Sequence, residues 1–399
     1  MAIDSGNNKI IIAGGGIGGL ATALGLAQQG YSSLVLEKAS ELGELGAGIQ
    51  LGPNAFHCFD FLGVGEEARR MAVYIDQLRL MDAISGEEIA HIPLDQTFRD
   101  RYRNPYAVVH RGDLHGVLLR ACVQNDFIEL RVNANVLGYK NRVDGVTVTL
   151  ADNALINGRA LVGADGLWSN VRNQLVADGP PRVSGHTTYR SVIPFEQMPE
   201  ELRWNAATLW AGPKCHIVHY PLSDWKYFNL VVTYHNDAPE PVAGKAVSRD
   251  EVLKGFEHIH PLPRGIIDIG RDWKLWVLCD REPVTSWQDV NTVLLGDAAH
   301  PMLQYMAQGA CMAMEDAVCL AREVKAHDGN IESAFSAYQN LRTTRTARVV
   351  LSSRAMGDHV YHPDGAHAMV RNATLGSWSP QEYYHRLDWL YGDGAGVWQ

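Results

Sequence analysis

The residues from Lys9 to Glu37 constrain this chain most, because a strand, a glycine loop, a helix, a strand and an acid follow in register. The opening β-branched run predicts a buried strand of a parallel sheet. The glycines of a G-x-G-x-x-G pattern follow at Gly14, Gly16 and Gly19. They suit a tight turn, close backbone approach to a pyrophosphate, and close helix packing, while Glu37 suits a ribose hydroxyl pair. We therefore predict a Rossmann-like dinucleotide-binding fold rather than a flexible glycine loop.

Composition and charge exclude several classes of protein. The 399 residues are enough for two or three domains, and a net charge of -10 argues against nucleic acid or an anionic membrane as the main partner. No apolar run is long enough to span a bilayer, and the first eight residues are too short and polar for a signal peptide. The six cysteines lack C-x-x-C spacing, which favours reduced thiols over disulfides or metal ligands. We expect a cytoplasmic protein without a bound metal.

Two segments after Glu37 present groups that a ligand could use. A glycine-rich loop over 44–54 contains Gly48 and Gln50, and its small residues would let the backbone follow a planar ligand. A surface turn is the alternative interpretation. Arg111 follows an apolar run that predicts a strand and precedes a predicted helix. From that junction it can reach a phosphate, although a solvated arginine is equally compatible with the sequence.

Two later apolar strands end in carboxylates. Asp165 and Gly166 follow one of them, and Asp297 follows the other. Ligands of open α/β sheets bind at the carboxyl ends of the strands, so both acids are candidate ligand contacts. A helix is expected from about Gly309, and its first amides and dipole would stabilise negative charge.

The region between these strands has a different sequence pattern. Short alternating runs separated by turns predict an antiparallel sheet, and a hairpin is expected over 78–92. We predict a nucleotide-binding domain that is interrupted by a substrate domain and followed by a less regular tail. The boundaries are 1–75, 104–182 and 281–355 for the nucleotide domain, 76–103 and 183–280 for the substrate domain, and 356–399 for the C-terminal segment.

Three motifs together resemble one family. The glycine fingerprint, the Asp165-Gly166 motif running to Arg172, and the Gly296-Asp297 motif running to Pro301 are similar to those of the single-component FAD-dependent aromatic hydroxylases, the p-hydroxybenzoate hydroxylase-like flavoprotein monooxygenases. The resemblance implies an α/β fold. It would consist of a Rossmann-like FAD-binding domain of the GR2 type, an inserted, mainly antiparallel β substrate domain, and C-terminal helices.

The resemblance also implies how the cofactors are held. FAD would be bound, whereas NADH would dock transiently, since no second glycine fingerprint occurs; NADPH remains open. The Asp165-Gly166 motif would serve both FAD and the nicotinamide. The implied cofactor-binding residues are Gly14, Gly16, Gly19, Glu37, Lys38, Gly48, Gln50, Arg111, Asp165, Gly166, Asp297 and Gly309.

A strand over 215–220 carries the candidate catalytic residues. Its alternation places His216 and Tyr220 on one face and His219 on the other. A histidine base can remove the phenol proton that activates a ring towards electrophilic hydroxylation. Gln304 is expected to orient the same oxygen. A structural core histidine is the alternative for His216.

Within the family, the His216-x-x-x-Tyr220 pattern, together with His300 to Tyr305, most resembles 3-hydroxybenzoate 6-hydroxylases. These enzymes convert 3-hydroxybenzoate to 2,5-dihydroxybenzoate (gentisate) with NADH and O2 through a flavin C4a-hydroperoxide. The resemblance makes His216 and Gln304 catalytic, and Tyr220 and Pro301 substrate-binding. No arginine for the substrate carboxylate is evident.

The sequence is also compatible with other functions. Salicylate and 6-hydroxynicotinate hydroxylases are similar, but they carry a histidine where this chain has Tyr305. A non-catalytic FAD-fold binding protein predicts eroded motifs, whereas all three motifs are intact. The partners we expect are a small aromatic acid, O2 and a second copy of the chain in a homodimer.

Overall fold

A computed structural model describes residues 8–43 and 47–392 of the chain. The glycine-rich loop therefore lies partly outside the described residues, as does the N-terminal segment that the signal-peptide argument used. No helix in the described ranges is both long enough and apolar enough to cross a membrane.

The elements of the first half follow the predicted order. The first four are β1 (Ile10–Ala13), α1 (Ile17–Gln28), β2 (Ser33–Leu36) and β3 (Gly48–Leu51). Next come α2 (Pro53–Leu62), α3 (Gly65–Met71), β4 (Val73–Tyr74), β5 (Gln77–Asp82), β6 (Glu88–Pro93) and α4 (Gln96–Tyr102). Then follow β7 (Ala107–His110), α5 (Arg111–Val123), β8 (Ile128–Arg131), β9 (Val136–Arg142), β10 (Gly145–Leu150), β11 (Leu155–Gly158), β12 (Ala160–Gly163) and α6 (Asn170–Leu175).

The second half contains the long sheet and the C-terminal helices. Its strands and short helices are β13 (Arg182–Pro194), β14 (Ala206–Gly212), β15 (Cys215–Leu222), β16 (Tyr227–His235), β17 (Ala243–Ala246), α7 (Arg249–Leu253), α8 (Pro261–Ile269), β18 (Lys274–Asp280), β19 (Gln288–Asp289) and β20 (Thr292–Leu294). The later helices are α9 (Gly309–Ala326), α10 (Ile331–Met356), α11 (Gly365–Ser377) and α12 (Pro380–Tyr391), with a π-helical turn over Gly357–Tyr361.

A six-stranded sheet forms the core of the nucleotide-binding part. Its strand order is β19-β20-β12-β1-β2-β8, and every pairing except that of β19 with β20 is parallel. The carboxyl ends of β1, β12 and β20 thus meet at one edge, where the glycine loop, Asp165 and Asp297 follow them. Parallel strands buried on both faces explain the continuous apolar runs.

An eight-stranded sheet forms the second layer of the molecule. Its order is β17-β18-β13-β16-β15-β14-β5-β6. The hairpin of β5 and β6 therefore pairs with β14, which comes more than a hundred residues later in the chain. All pairings are antiparallel except that of β5 with β14. The predicted α/β fold with a mainly antiparallel second sheet is confirmed.

The C-terminal region corrects one expectation. We predicted a less regular tail, but α11 and α12 occupy most of it. Asp364 and Ser379 cap the two helices, and Ser379 forms a capping box with Glu382. The prediction failed because it relied on apolar periodicity. Both helices are of mixed polarity, so they show little of that periodicity.

Candidate active site

A cleft lies between the two sheets and encloses about 2050 Å³, part of which is open solvent. It gathers most of the predicted residues. The cofactor candidates that line it are Gly14, Gly16, Glu37, Lys38, Gly48, Gln50, Arg111, Asp165, Gly166, Asp297 and Gly309, and the substrate candidates are His216, Tyr220 and Gln304. Gly19 and Pro301 are absent from this lining.

The glycine loop forms a narrow cradle at one end of the cleft. Gly14 has a left-handed φ of +107°, and a Cβ on it would lie 2.3 Å from the carbonyl oxygen of Ala164. A Cβ on Gly19 would lie 1.9 Å from the carbonyl oxygen of Gly14. Gly19 therefore lets α1 pack against the loop, which explains why it does not line the cleft. The start of α1 turns its free amides towards the cradle, as phosphate binding requires.

Glu37 fixes the loop as well as lining the cleft. Its carboxylate accepts hydrogen bonds from the backbone amides of Gly15 and Ala39, each at 2.8 Å. Neighbouring Lys38 is exposed on the same side of the cleft. The acid is thus held at the end of β2, where the sequence predicted a contact to a ribose.

The carboxylate of Asp165 is largely committed to the protein. It accepts hydrogen bonds from the Ser169 hydroxyl and from the backbone amides of Asn170 and Val171. Burial raises the pKa of Asp165, and these hydrogen bonds oppose that shift. Asp165 therefore organises the loop before α6, and a direct contact of this residue with a cofactor stays a prediction.

The start of α9 lies beside Asp297. Asp297 is exposed within an otherwise buried turn, and its Oδ1 would lie 3.9 Å from a Cβ placed on Gly309. Gly309, Ala310 and Ala313 bring the first turns of α9 to the cleft wall. The predicted helix start is confirmed, and its free amides are available to an anionic ring system.

Three further cofactor candidates are tied to neighbouring elements. The amide of Gly48 donates to Asn229 Oδ1 at 2.7 Å, and a Cβ on Gly48 would lie 2.5 Å from the ring of Tyr220. Gln50 Oε1 accepts from the hydroxyl of Tyr106 at 2.7 Å. Arg111 lies at the junction of β7 and α5, as predicted, although the helix already begins at Arg111. Gly48 thus brings β3 against the substrate sheet in addition to lining the cleft.

The register of the large sheet explains which side chains reach the cleft. One row of paired residues is His216–Thr233–Thr188, and the next row is Val218–Val231–Arg190. These rows are two residues apart, so their side chains share a face. The members that line the cleft are His216, Val218, Val231 and Arg190. The predicted face of β15 is confirmed.

The two histidines of β15 have different surroundings. His219 lies on the opposite face, where its Nε2 accepts from Trp210 Nε1 at 3.1 Å. His216 Nδ1 lies 2.7 Å from His362 Nε2, and His216 Nε2 has no partner within the described ranges. Burial, with smaller effects of His362 and His186, lowers the pKa of His216 well below its usual range. The imidazole is therefore neutral at pH 7.

Gln304 is held from both ends of its amide. Nε2 donates to the hydroxyls of Thr188 and Thr233 at 3.2 and 3.1 Å, and Oε1 accepts from Arg190 Nη2 at 3.3 Å. Because a guanidinium can only donate, the contact with Arg190 assigns the oxygen end of the amide, and the nitrogen end then donates to the two hydroxyls. Gln304 thus has one defined orientation in the cleft. Pro301 is buried outside the lining, so the structure does not support its predicted contact with the substrate.

Sequence reasoning missed three residues of the site. Tyr361 lines the cleft, and His362 touches His216, yet both belong to the C-terminal segment that we predicted to be separate from the site. Arg190 lines the cleft from the middle of β13. The sequence does show Arg190 as a charged residue within an alternating strand, two residues from Thr188 and therefore on the same face. His362 had no comparable local signal.

Comparisons with known proteins agree with this geometry. Residues 7–353 match the family model described as "FAD binding domain", and the chain belongs to this family of FAD-binding proteins. The cradle, the acid at the end of β2 and the helix start at Gly309 fit such a cofactor. FAD is therefore the cofactor of this chain.

Several relatives and solved structures cover nearly the whole chain. It is 54% identical to 3-hydroxybenzoate 6-hydroxylase 1 of Aquipseudomonas alcaligenes, across 97% of this chain and 98% of the relative. It is 47% identical to 3-hydroxybenzoate 6-hydroxylase of Polaromonas naphthalenivorans (strain CJ2), across 99% and 98%. Klebsiella pneumoniae HpxO complexed with FAD and uric acid matches with a TM-score of 0.85 at 25% identity, with 97% of each chain covered.

Proposed function

We propose that this chain hydroxylates 3-hydroxybenzoate para to its hydroxyl group, forming gentisate with NADH and O2. The observation that carries the chemistry is His216, a buried neutral imidazole in the cleft whose Nε2 has no partner within the described ranges. The nearly full-length identity to enzymes with this name supports the choice of substrate.

The protein groups prepare the phenol for attack. Bound FAD supplies the reducing and oxygen-activating chemistry. His216 Nε2 accepts the phenol proton, which raises electron density on the ring at the ortho and para carbons. Its lowered pKa keeps the base unprotonated and ready at neutral pH. Gln304, fixed by two threonine hydroxyls, lies beside the same ligand and orients its oxygen.

The hydrogen bond to His362 suits the tautomer that this base requires. For Nε2 to accept a proton, the hydrogen of neutral His216 must reside on Nδ1. Nδ1 then donates to His362 Nε2 at 2.7 Å, so His362 must carry its own hydrogen on Nδ1. His362 is thus a positioning residue that keeps the reactive nitrogen of His216 free.

The proposal extends to the co-substrate, the compartment and the assembly. Docking of NADH is transient, because the described residues contain one glycine cradle, which FAD would occupy when bound. We assign the enzyme to the cytoplasm, since its six cysteines are all free thiols. A homodimer is proposed from the sequence reasoning alone.

A product assay tests the proposal. The FAD-loaded protein would be incubated with NADH and, in separate reactions, 3-hydroxybenzoate, salicylate and 6-hydroxynicotinate. Chromatography should show gentisate from 3-hydroxybenzoate, with NADH oxidation stimulated by that acid. Carbon dioxide release from salicylate or 6-hydroxynicotinate, without gentisate from 3-hydroxybenzoate, would contradict the proposal.

A further inference from the structure

Arg190 is a cation in the cleft without an acidic partner. It projects from the middle of β13 and lines the cleft, and no carboxylate lies within ion-pair distance of it in the ranges that the structure describes. Its Nε is buried and has no hydrogen-bond partner there, while Nη2 makes only a 3.3 Å contact with Gln304. Such a charge is costly unless an anion joins it.

The groups described around Arg190 include no carboxylate that could serve as its counter-ion. Its guanidinium lies 5.4 Å from the centre of the Trp276 ring, which favours a cation but carries no charge. Tyr220 and Arg111 act on it electrostatically, and Arg111 is a second cation. The tryptophan thus fixes one face of the guanidinium, and the free Nε edge is left for a ligand.

Other arginines of the same region show the contrast. Arg182, on the same strand, pairs with Asp280 through two hydrogen bonds of 2.8 Å. Arg172 is bound by Asp178 and by the carbonyl oxygens of Ala298 and Ala299. Both are engaged by acids and carbonyls of the fold. Arg190 lacks such acceptors on Nε and faces the cleft.

The sheet register places Arg190 at the substrate end of the cleft. His216 and Arg190 lie on the same face, two strands and one row apart, which corresponds to about 12 Å between their Cα atoms. Both side chains line the cleft, and Gln304 contacts Arg190 there. A ring with a hydroxyl at one end and an anionic group meta to it can engage both residues.

We propose that Arg190 binds the carboxylate of the aromatic substrate through its Nε and Nη2 hydrogens, so that the enzyme selects phenolic acids over neutral phenols. This inference rests on the proposed function for the identity of the ring. The planar fork of arginine matches a carboxylate in two parallel hydrogen bonds. With the carboxylate anchored there, the hydroxyl is directed towards His216.

Ligand binding provides a test that does not depend on turnover. FAD-loaded wild type and Arg190→Met would be titrated with 3-hydroxybenzoate and with the neutral 3-hydroxybenzamide, and the flavin absorbance change would give each Kd. The substitution should weaken binding of the acid by about 30-fold or more, because a desolvated charge pair loses one partner. Binding of the amide should change by less than about threefold.

Two further variants sharpen the test. Arg190→Lys keeps the charge without the fork and should give an intermediate Kd for the acid. Lys274→Met is the matched control, since Lys274 pairs with Arg190 in register, is exposed, and loses the same charge. It should bind both ligands as wild type does.

The outcomes separate this inference from the proposed function. If Arg190→Met weakens both ligands equally, or releases FAD, the assignment to the substrate carboxylate is overturned. If the acid binds in an Arg190-dependent manner but wild type yields no gentisate, the anion site stands and the proposed reaction fails. If wild type yields gentisate and Arg190→Met binds the acid normally, only the assignment of Arg190 fails.

Discussion

Two buried polar clusters of this molecule differ in whether their arginines have acidic partners among the described residues. Under α9, Arg342 binds Asp316 and Glu315 at 2.6 Å each, and all three side chains are fully buried. Arg345 adds a second cation to Glu315, and His300 contacts Asp316. In the cleft, Arg190 and His216 each keep a buried nitrogen without a partner in the described part of the chain.

This difference distinguishes a structural cluster from a binding cluster. In the first cluster, every acid meets a cation, so a ligand would gain nothing there. That cluster joins α9 to α10, and Asp316 also accepts from the amide of Gly296 at 3.0 Å, which fixes the turn before Asp297. In the cleft, the unpaired groups are complementary to a phenolic acid. A buried group that lacks a partner and also lines the cleft is the better indicator of function.

The largest expected effect is on stability, from Arg342→Met. The substitution leaves Glu315 and Asp316 with fewer counter-charges, and breaking a buried ion pair in this way costs about 3–5 kcal/mol. Denaturant unfolding of the FAD-saturated protein measures the free energy of unfolding. Lys325→Met, at an exposed position of the neighbouring helix α9, is the control and should change this free energy by less than about 0.5 kcal/mol. Equal effects of both substitutions would contradict the comparison.

The next effect is on catalysis, from His216→Ala. Loss of the base should lower the rate of hydroxylation by about 10²–10⁴-fold and divert NADH oxidation to hydrogen peroxide, while FAD stays bound. Gentisate formed per NADH consumed measures the coupling. His219→Ala is the matched control on the same strand, and it should lower stability without changing that ratio. Coupling at the wild-type level in His216→Ala would remove the base assignment.

The sequence predicted the parts of the site that depend on local pattern. The glycine spacing gave the cradle, and the alternation of β15 gave the face shared by His216 and Tyr220. The cradle and the shared face each depend on a spacing of only a few residues, so one short segment of sequence is enough to predict them. The helix starting at Gly309 is predictable for the same reason.

The remaining parts depend on contacts between distant segments. His216 and His362 are 146 residues apart, and their contact requires the C-terminal segment to fold back on the sheet. Glu315 and Asp316 are two acids near the start of α9, and their burial depends on the arginines of α10. The position of Arg190 beside His216 depends on the register in which β13, β16 and β15 pair. No local period encodes any of these contacts.

Mild acid should act on the buried histidines of the large sheet and on the cluster under α9 in different pH ranges. Burial lowers the pKa of His219 and of His362 to about 3, and that of His186 to about 4. The folded state thus binds fewer protons than the unfolded state, and stability present above about pH 6.5 is lost as the pH falls towards 3–4. Asp316 also has a lowered pKa, but the stability from its carboxylate is lost only below about pH 4.

His219→Phe isolates one of these groups. It should reduce the dependence of the unfolding free energy on pH by up to about 1.4 kcal/mol per pH unit between pH 6 and 4. Unfolding curves at several pH values measure this slope, and His367→Phe at an exposed position should leave it unchanged. An unaltered slope in His219→Phe would show that this ring is not held neutral by burial.

The smallest expected effect is that of His362, which acts only through His216. His362→Leu removes the acceptor for His216 Nδ1, so the imidazole can also place its hydrogen on Nε2, where it cannot accept the phenol proton. We expect the rate of hydroxylation to fall about tenfold, an effect of about 1.4 kcal/mol, with little change in the Kd of the acid. His362→Gln retains an acceptor and should restore most of the rate. A purely structural role would instead give similar losses in both variants, together with a weaker Kd.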